Sequence, residues 1–181
     1  MSDIREFWSS ETLRNGLGVT IRELRADDRD RMAAAIRKLD PESIYTRLFS
    51  HRTELTEAGL DRIMRVDRAR DVALVVTIGS GEGEVIIASC RCIGSDEADG
   101  ERTAEVAFVV EEDYQGLGIA SRLLKHVVRI ARARGIGTLE ADVLSGNKAM
   151  LAVFARSGLP MQRRYEGGTT HVTLSLRAAA S

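Results

Sequence analysis

Cysteine, proline and aromatic residues are scarce in this chain of 181 residues. There are two cysteines and two prolines, and aromatic residues make up 4%. Cys90 and Cys92 lie two positions apart on a predicted strand, so they face the same way and are poorly placed to form a disulfide. The histidines His51, His126 and His171 are scattered, which argues against a metal site that includes the cysteines. We therefore interpret both cysteines as small strand residues in a reducing compartment, and no metal is expected.

Long apolar runs and a net charge of either sign are also lacking. No run approaches the roughly 18 consecutive apolar residues of a membrane helix, and the start, MSDIREFWSSETLRNG, lacks the apolar core of a signal peptide. The formal net charge of −1 gives no overall field that would favour nucleic acid or an anionic membrane. The sequence therefore predicts a cytoplasmic protein that binds neither nucleic acid nor membrane.

The order of hydrophobic patterns predicts one mixed α/β domain over 18–177, after an N-terminal segment (1–17) and before a tail (178–181). Three consecutive strand-like runs are joined by the glycine- and acid-rich connections 79–83 and 94–100, which indicate antiparallel hairpins. Helices and strands alternate afterwards. The predicted strands are 18–24, 71–78, 84–93, 101–110, 138–144, 160–166 and 170–176, and the predicted helices are about 28–39, 42–49, 56–66, 147–158 and one from 119 onward.

A glycine turn, QGLGIA (115–120), joins the 101–110 strand to the helix that follows it. Backbone N–H groups at a helix N-terminus have no partner within the helix, and the helix dipole places partial positive charge there. Because Gly116 and Gly118 carry no side chains, an anion can approach these N–H groups closely. A pyrophosphate is the ligand that such a turn suits best.

Three interpretations of the turn stay open from the residues alone. The first is a plain connection between strand and helix. The second is a dinucleotide site of the Rossmann type, for which Ser121 is wrong at the third glycine position, although Glu140 and Asp142 lie near the spacing of a ribose-binding acid. That fold opens with a βαβ unit, whereas antiparallel strands come first here. The third interpretation is an acyl-CoA site.

The 115–120 segment resembles the Gln/Arg-x-x-Gly-x-Gly/Ala motif of the GCN5-related N-acetyltransferases, the GNAT superfamily. Residues 108–110 stand where that family has the strand that pairs with the pantetheine arm, and Asn147 matches an asparagine that contacts the cofactor. Gly-Leu at 158–159 replaces the usual Gly-Phe. The resemblance covers roughly 19–176 and implies the GNAT fold, with a mixed, mostly antiparallel sheet flanked by helices, and acetyl-CoA as co-substrate. The cofactor-binding residues that it implies are Phe108, Val109, Val110, Gln115, Gly116, Leu117, Gly118, Ile119, Ala120, Ser121, Asn147 and Phe154.

Glu105 is the candidate catalytic residue. Acetyl transfer requires a neutral amine, yet a lysine amine has a reference pKa of about 10.4, so a nearby proton acceptor is needed. Glu105 lies in a run that is otherwise apolar from Ala104 to Val110, where partial desolvation is expected to raise its pKa. The resemblance implies a catalytic glutamate at this point, and the alternative is a solvent-facing strand residue. The N–H of Val109 or Val110 is expected to stabilise the developing oxyanion.

Phe154 departs from the family, which often has a tyrosine there to reprotonate the departing thiolate. Activity need not fail, because thiols have a pKa of about 8.5, but the general acid is left unassigned, with water or Tyr165 as weak substitutes. Phe154 is expected to pack on the pantetheine or, with Leu151, in the apolar face of its helix. Arg122 is either a CoA phosphate ligand or part of a solvated face, and His171 is either a second base or structural.

A narrower likeness lies upstream. LDPESIYTRLFS (39–50) and VDRARDVALVV (66–76) are similar to the acetyltransferase module of bacterial protein-lysine acetyltransferases, which modify acyl-CoA synthetases. The likeness implies a free-standing catalytic unit that acetylates a protein lysine by direct attack in a ternary complex, with a partner such as an acyl-CoA synthetase. A small-molecule amine acetyltransferase, a non-catalytic acyl-CoA sensor and, more distantly, an NAD-dependent oxidoreductase are the alternatives. A homo-oligomer is compatible with the sequence.

Overall fold

Eight strands form one sheet in the computed structural model, which describes residues 7–39, 56–67, 70–96 and 102–177. In chain order they are β1 Trp8–Thr12, β2 Gly18–Glu23, β3 Asp71–Ile78, β4 Val85–Asp96, β5 Arg102–Val110, β6 Thr138–Leu144, β7 Met161–Glu166 and β8 Thr169–Ser175. Across the sheet the order is β1-β2-β3-β4-β5-β6-β8-β7. All neighbours are antiparallel except β5 and β6, which are parallel. The predicted mixed, mostly antiparallel sheet is confirmed.

The described α-helices cover both faces of the sheet. They are α1 Arg29–Arg37, α2 Glu57–Met64, α3 Ile119–Ala133 and α4 Lys148–Ala155. The apolar stripe of α3, which includes Leu123 and Val127, forms the main core with Phe154 of α4 and one sheet face. A smaller core joins α1 and α2 to the other face through Val75 and Ile86. None of the described helices is long and apolar enough to cross a membrane.

A buried ion pair fixes the start of α1 to the sheet. Arg22 on β2 is 2% exposed and donates two hydrogen bonds of 2.8 Å, one to each carboxylate oxygen of Asp28, which is 0% exposed. Arg22 also donates to Glu84, next to β4. Burial acts to raise the pKa of Asp28, but the hydrogen bonds from Arg22 and from the Arg25 N–H outweigh it and leave that pKa below its usual value.

Two features differ from the sequence-based expectations. Strand β1 lies within the segment expected to precede the domain, yet it pairs with β2 at the edge of the sheet. Strand β4 continues three residues beyond the predicted end at 93. The helix predicted at 42–49 lies outside the described residues, and the domain limits at 18 and 177 stay predictions.

Cys90 and Cys92 are free and buried on the β4 face that meets the main core, as two small strand residues would be. Burial, with a smaller effect of the neighbouring Cys92, raises the pKa of Cys90 well above its usual value. Burial also raises the pKa of Cys92 to about 12. Both thiols are therefore held in the neutral form at physiological pH, which suits a packing role.

Candidate active site

A cleft opens where the parallel pairing of β5 and β6 stops. The paired residues are 103–105 on β5 and 138–140 on β6, and beyond Glu105 and Glu140 the two strands separate. The resulting cleft has a volume of about 1220 Å³, and both separated strand segments line it. This volume exceeds that of an ordinary small-molecule pocket, so a ligand as large as a nucleotide conjugate fits.

Nearly all the predicted site residues line this one cleft. Leu117 is the exception, because it packs against the main core instead. Those that line the cleft are Glu105, Phe108, Val109, Val110, Gln115, Gly116, Gly118, Ile119, Ala120, Ser121, Asn147 and Phe154. Residues that are up to 49 positions apart in the sequence are thereby brought together by β5, the glycine turn and α4.

The glycine turn has the backbone that only glycine adopts easily. Gly116 has φ of 79° and Gly118 has φ of 87°, both in the left-handed region. Gly118 is the N-cap of α3, and no side chain caps this helix. The Gln115 side chain donates a hydrogen bond of 3.1 Å to the Val110 carbonyl, which ties the turn to the end of β5. The turn therefore presents the unpaired N–H groups of α3 to the cleft.

The far wall of the cleft comes from α4. Asn147 is the N-cap of this helix, and its side-chain oxygen accepts a hydrogen bond of 3.1 Å from the Met150 N–H. Phe154 is buried and meets Phe108 edge to face, with 5.9 Å between ring centroids. The aromatic pair joins α4 to β5, so Phe154 both packs in the core and borders the cleft. Tyr165, considered as a substitute acid, is 71% exposed and is not among the lining residues.

Carboxylates gather at the opposite end of the cleft from the turn. Glu105 is half-buried and stands beside Glu140 in the parallel register. On the next strand His171 faces two carboxylates, with Nδ1 2.7 Å from Asp142 Oδ1 and Nε2 3.7 Å from Glu140 Oε1. The sequence suggested a role for Glu140 and Asp142 only as ribose-binding acids of a dinucleotide site. In the structure both carboxylates lie next to His171. Side chains paired across neighbouring strands share one face, so all four lie on the same side of the sheet.

Arg122, considered as a phosphate ligand, is engaged elsewhere. Its guanidinium pairs with Glu11 of β1 at 3.1 Å and donates to the Thr12 carbonyl at 3.0 Å. The other Glu11 oxygen lies 2.8 Å from His126 Nε2. Burial acts to raise the pKa of Glu11, but these hydrogen bonds outweigh it and leave the pKa below its usual value. Arg122 therefore fastens β1 to α3.

Arg14 is a cleft residue that sequence reasoning missed. It belongs to the loop between β1 and β2 and lines the cleft beside the glycine turn. A side-chain carbon placed on Gly118 would lie 3.5 Å from Arg14 Nε and 3.8 Å from its Cζ. No motif marks this arginine, because it is about a hundred positions from the turn that it meets.

A family model described as the Acetyltransferase (GNAT) family matches residues 34–159. Among curated relatives, an acetyltransferase of Pseudomonas aeruginosa is 29% identical over 159 residues, 88% of this chain and 84% of that protein. The acetyltransferase Pat of Mycolicibacterium smegmatis is 32% identical over 146 residues, 81% of this chain but 42% of that protein. The chain thus spans less than half the length of Pat.

Two solved structures have the same fold as this chain. The GNAT domain of S. lividans PAT superimposes with a TM-score of 0.80 at 31% identity, over 93% of this chain and 96% of that one. A Salmonella typhimurium structure that contains acetyl-CoA as its cofactor gives a TM-score of 0.68 at 20% identity, over 90% of this chain and 96% of that one. The second likeness bears on the fold alone.

Proposed function

The chain belongs to the GNAT family of acetyltransferases, and we propose that it transfers an acetyl group from acetyl-CoA to a primary amine, the side chain of a protein lysine. The observation that carries the proposal is one cleft with a half-buried carboxylate, Glu105, at one end and the glycine turn at the other. Val110 lies five positions after Glu105 on β5, which is about 17 Å of extended strand. An extended cofactor with its anion on the turn therefore reaches the carboxylate.

The residues of the turn fit the diphosphate of acetyl-CoA. Gly116 and Gly118 leave the approach to the α3 N-terminus free of side chains, and a Cβ on Gly118 would stand between the turn and the Arg14 guanidinium. Unpaired N–H groups, the helix dipole and a cation together form a suitable donor set for an anion. Residues 115–121 would hold the diphosphate, while Val109, Val110 and Asn147 would border the pantetheine arm.

Glu105 is assigned the proton transfer. Acetyl-CoA, when bound, supplies an electrophilic acetyl thioester, and the acceptor must reach it as a neutral amine. The Glu105 carboxylate takes the proton from the acceptor ammonium, directly or through a water. Glu140 and Asp142 add negative charge on the same face, which favours a cationic acceptor there.

The protein-lysine acceptor rests on the resemblance of 39–50 and 66–76 to protein-lysine acetyltransferases and on the likeness to Pat and to the PAT domain. An acyl-CoA synthetase is the expected type of partner. A cytoplasmic location belongs to the same proposal, because the free, buried cysteines suit a reducing compartment.

The first experiment is calorimetric titration of the purified protein with acetyl-CoA, with NADH as the control ligand. Free-thiol release is then followed with a set of lysine-bearing proteins and with small amines. Binding of acetyl-CoA and thiol release that depends on a protein acceptor would support the proposal. Release with small amines alone would make the protein a small-molecule acetyltransferase. Binding without release for any acceptor would favour the sensor function, and binding of NADH alone would overturn the proposal.

A further inference from the structure

The hairpin of β1 and β2 is fastened to α3, the helix that begins at the glycine turn. Glu11 uses one carboxylate oxygen for Arg122 and the other for His126, and the Phe7 ring lies 4.7 Å from the His126 ring, centroid to centroid. Both partners of Glu11 belong to the first two turns of α3. These contacts set the position of the hairpin relative to the helix N-terminus.

The loop at the tip of this hairpin has a defined shape. Leu13 is buried in the main core, and its backbone N–H donates to the Leu17 carbonyl at 2.8 Å. The Gly16 N–H donates to the Leu13 carbonyl at 2.9 Å, and Gly16 has φ of 86°. Arg14 therefore follows a residue, Leu13, that is anchored in the main core. The hydrogen bond from Gly16 to Leu13 closes the loop on the other side of Arg14.

The Arg14 guanidinium lies beside the glycine turn and lines the cleft. Its nearest approach to the turn is toward Gly118, the N-cap of α3, where an added Cβ would meet Nε at 3.5 Å. Within the described part of the chain, no hydrogen bond or ion pair engages this guanidinium. A guanidinium, which carries five N–H donors, therefore lines the cleft next to the unpaired N–H groups of the helix.

We propose that the β1–β2 hairpin is part of the cofactor site, with Arg14 binding the diphosphate of acetyl-CoA from the side opposite the glycine turn. This inference rests on the proposed function, since it assigns a further residue to the same cofactor. A guanidinium binds phosphate oxygens through two parallel N–H donors, which a lysine ammonium does not match. Glu11 is a positioning residue, because it holds the hairpin on α3 through Arg122 and His126.

The test compares Arg14→Ala with the wild-type protein by calorimetry, using acetyl-CoA and acetyl-dephospho-CoA, which keeps the diphosphate but lacks the 3′-phosphate. Loss of a charge-assisted contact should weaken binding of both ligands by about 10- to 100-fold. Arg14→Lys should recover only part of that loss. Arg129→Ala, which removes an exposed arginine from the outer face of α3, is the matched control and should bind as the wild type does.

Positioning by Glu11 is tested by combining variants. Glu11→Gln should weaken binding several-fold in the wild-type background and have no further effect in Arg14→Ala, because both changes remove the same contact. Wild-type affinity for acetyl-CoA in a folded Arg14→Ala protein would overturn the inference while leaving the proposed function intact. A loss seen with acetyl-CoA but not with the dephospho ligand would also overturn it, since Arg14 would then contact the 3′-phosphate. Failure of the wild-type protein itself to bind acetyl-CoA would instead overturn the proposed function.

Discussion

Glu105 and Glu140 are adjacent in the parallel register, and both are half-buried residues that line the cleft. They differ in the strand that carries them. Glu105 lies on β5, the strand that leads to the glycine turn, whereas Glu140 lies on β6 with its Oε1 3.7 Å from His171 Nε2. A general base must lie within reach of the proton that it accepts, so its place along the proposed path of the cofactor, rather than its burial, distinguishes Glu105 from Glu140.

Glu105→Gln should lower kcat by about 100- to 10,000-fold, because a positioned general base is lost. Acetyl-CoA affinity should hardly change, since the turn that holds the diphosphate is untouched. Thiol release gives the rate and calorimetry gives the affinity. Glu140→Gln, an equal change of charge on the neighbouring strand, is the control and should retain most of kcat. A full-rate Glu105→Gln enzyme near neutral pH would remove this residue from the mechanism.

A single residue could be singled out from the sequence where the residues next to it form a pattern that indicates its chemistry. Glu105 stands out as the one charge in the apolar run Ala104–Val110, and Gly118 stands out in a motif. Arg14 could not be found this way, and neither could the carboxylates that surround His171, because a hairpin and strand pairing bring these distant positions together. The buried Arg22–Asp28 pair has the same origin, since two charged residues on a polar stretch give no sign of burial.

Among the elements, the glycine turn needs two things to bind an anion: the left-handed backbone of its glycines and the space that their missing side chains leave open. Gly118→Val should weaken acetyl-CoA binding by at least about 10-fold, because a β-branched residue is strained at a φ of 87° and its methyl groups would fill the space through which the diphosphate approaches the turn. Calorimetry with acetyl-CoA measures the effect. Gly158→Val is the control, since Gly158 has φ of 79° with no atom within 4 Å of an added Cβ. Equal affinity loss in both variants would attribute the effect to general strain rather than to the turn.

Element α1 depends on the Arg22–Asp28 pair for its attachment to the sheet. Asp28→Asn should reduce the free energy of unfolding by about 3 kcal/mol, the lower end of the cost of breaking a buried ion pair, because it removes one of the two carboxylates that pair with the buried guanidinium and leaves Glu84 as the other. Since the pKa of Asp28 is lowered in the folded protein, its contribution is present above the unfolded-state pKa of about 3.9 and is lost as pH falls through the lower folded-state value.

Urea unfolding at several pH values measures this difference, with the exposed neighbour variant Asp27→Asn as the control. The gap between wild type and Asp28→Asn should be full at neutral pH and shrink below about pH 4. A gap that grows on acidification would contradict the sign of the pKa shift.

Elements with a strong hydrophobic period were predicted well, whereas β1, which has none, was not predicted. The stripe of α3 and the apolar runs of β3 and β5 gave correct positions, because burial of one face requires that period. Strand β1, WSSET, has no apolar alternation, and it lies at the edge of the sheet with Trp8 60% exposed. Its strand conformation is set by pairing with β2 and by Glu11, neither of which leaves a pattern in the local sequence.

At the scale of the whole molecule, the cleft divides a sheet whose two halves are joined by only a short parallel contact. Three residue pairs link β5 to β6, and beyond them β5, α3 and α4 surround an open space. A cofactor that lies along β5 and touches both helices would connect parts of the protein that otherwise meet through few backbone hydrogen bonds. Ligand binding to the folded state alone raises the stability of the whole chain by mass action.

Acetyl-CoA at 100 times its Kd should therefore stabilise the protein by about 2.7 kcal/mol, which is roughly 5–10 °C in Tm for a chain of this size. Thermal unfolding with and without ligand measures the shift. Glu105→Gln should keep the full shift because it alters chemistry rather than binding, whereas Gly118→Val should lose most of it. NADH at the same concentration should leave Tm unchanged. A shift with NADH and none with acetyl-CoA would mean that the glycine turn holds a dinucleotide, and the carboxylates at the other end of the cleft would then need another role.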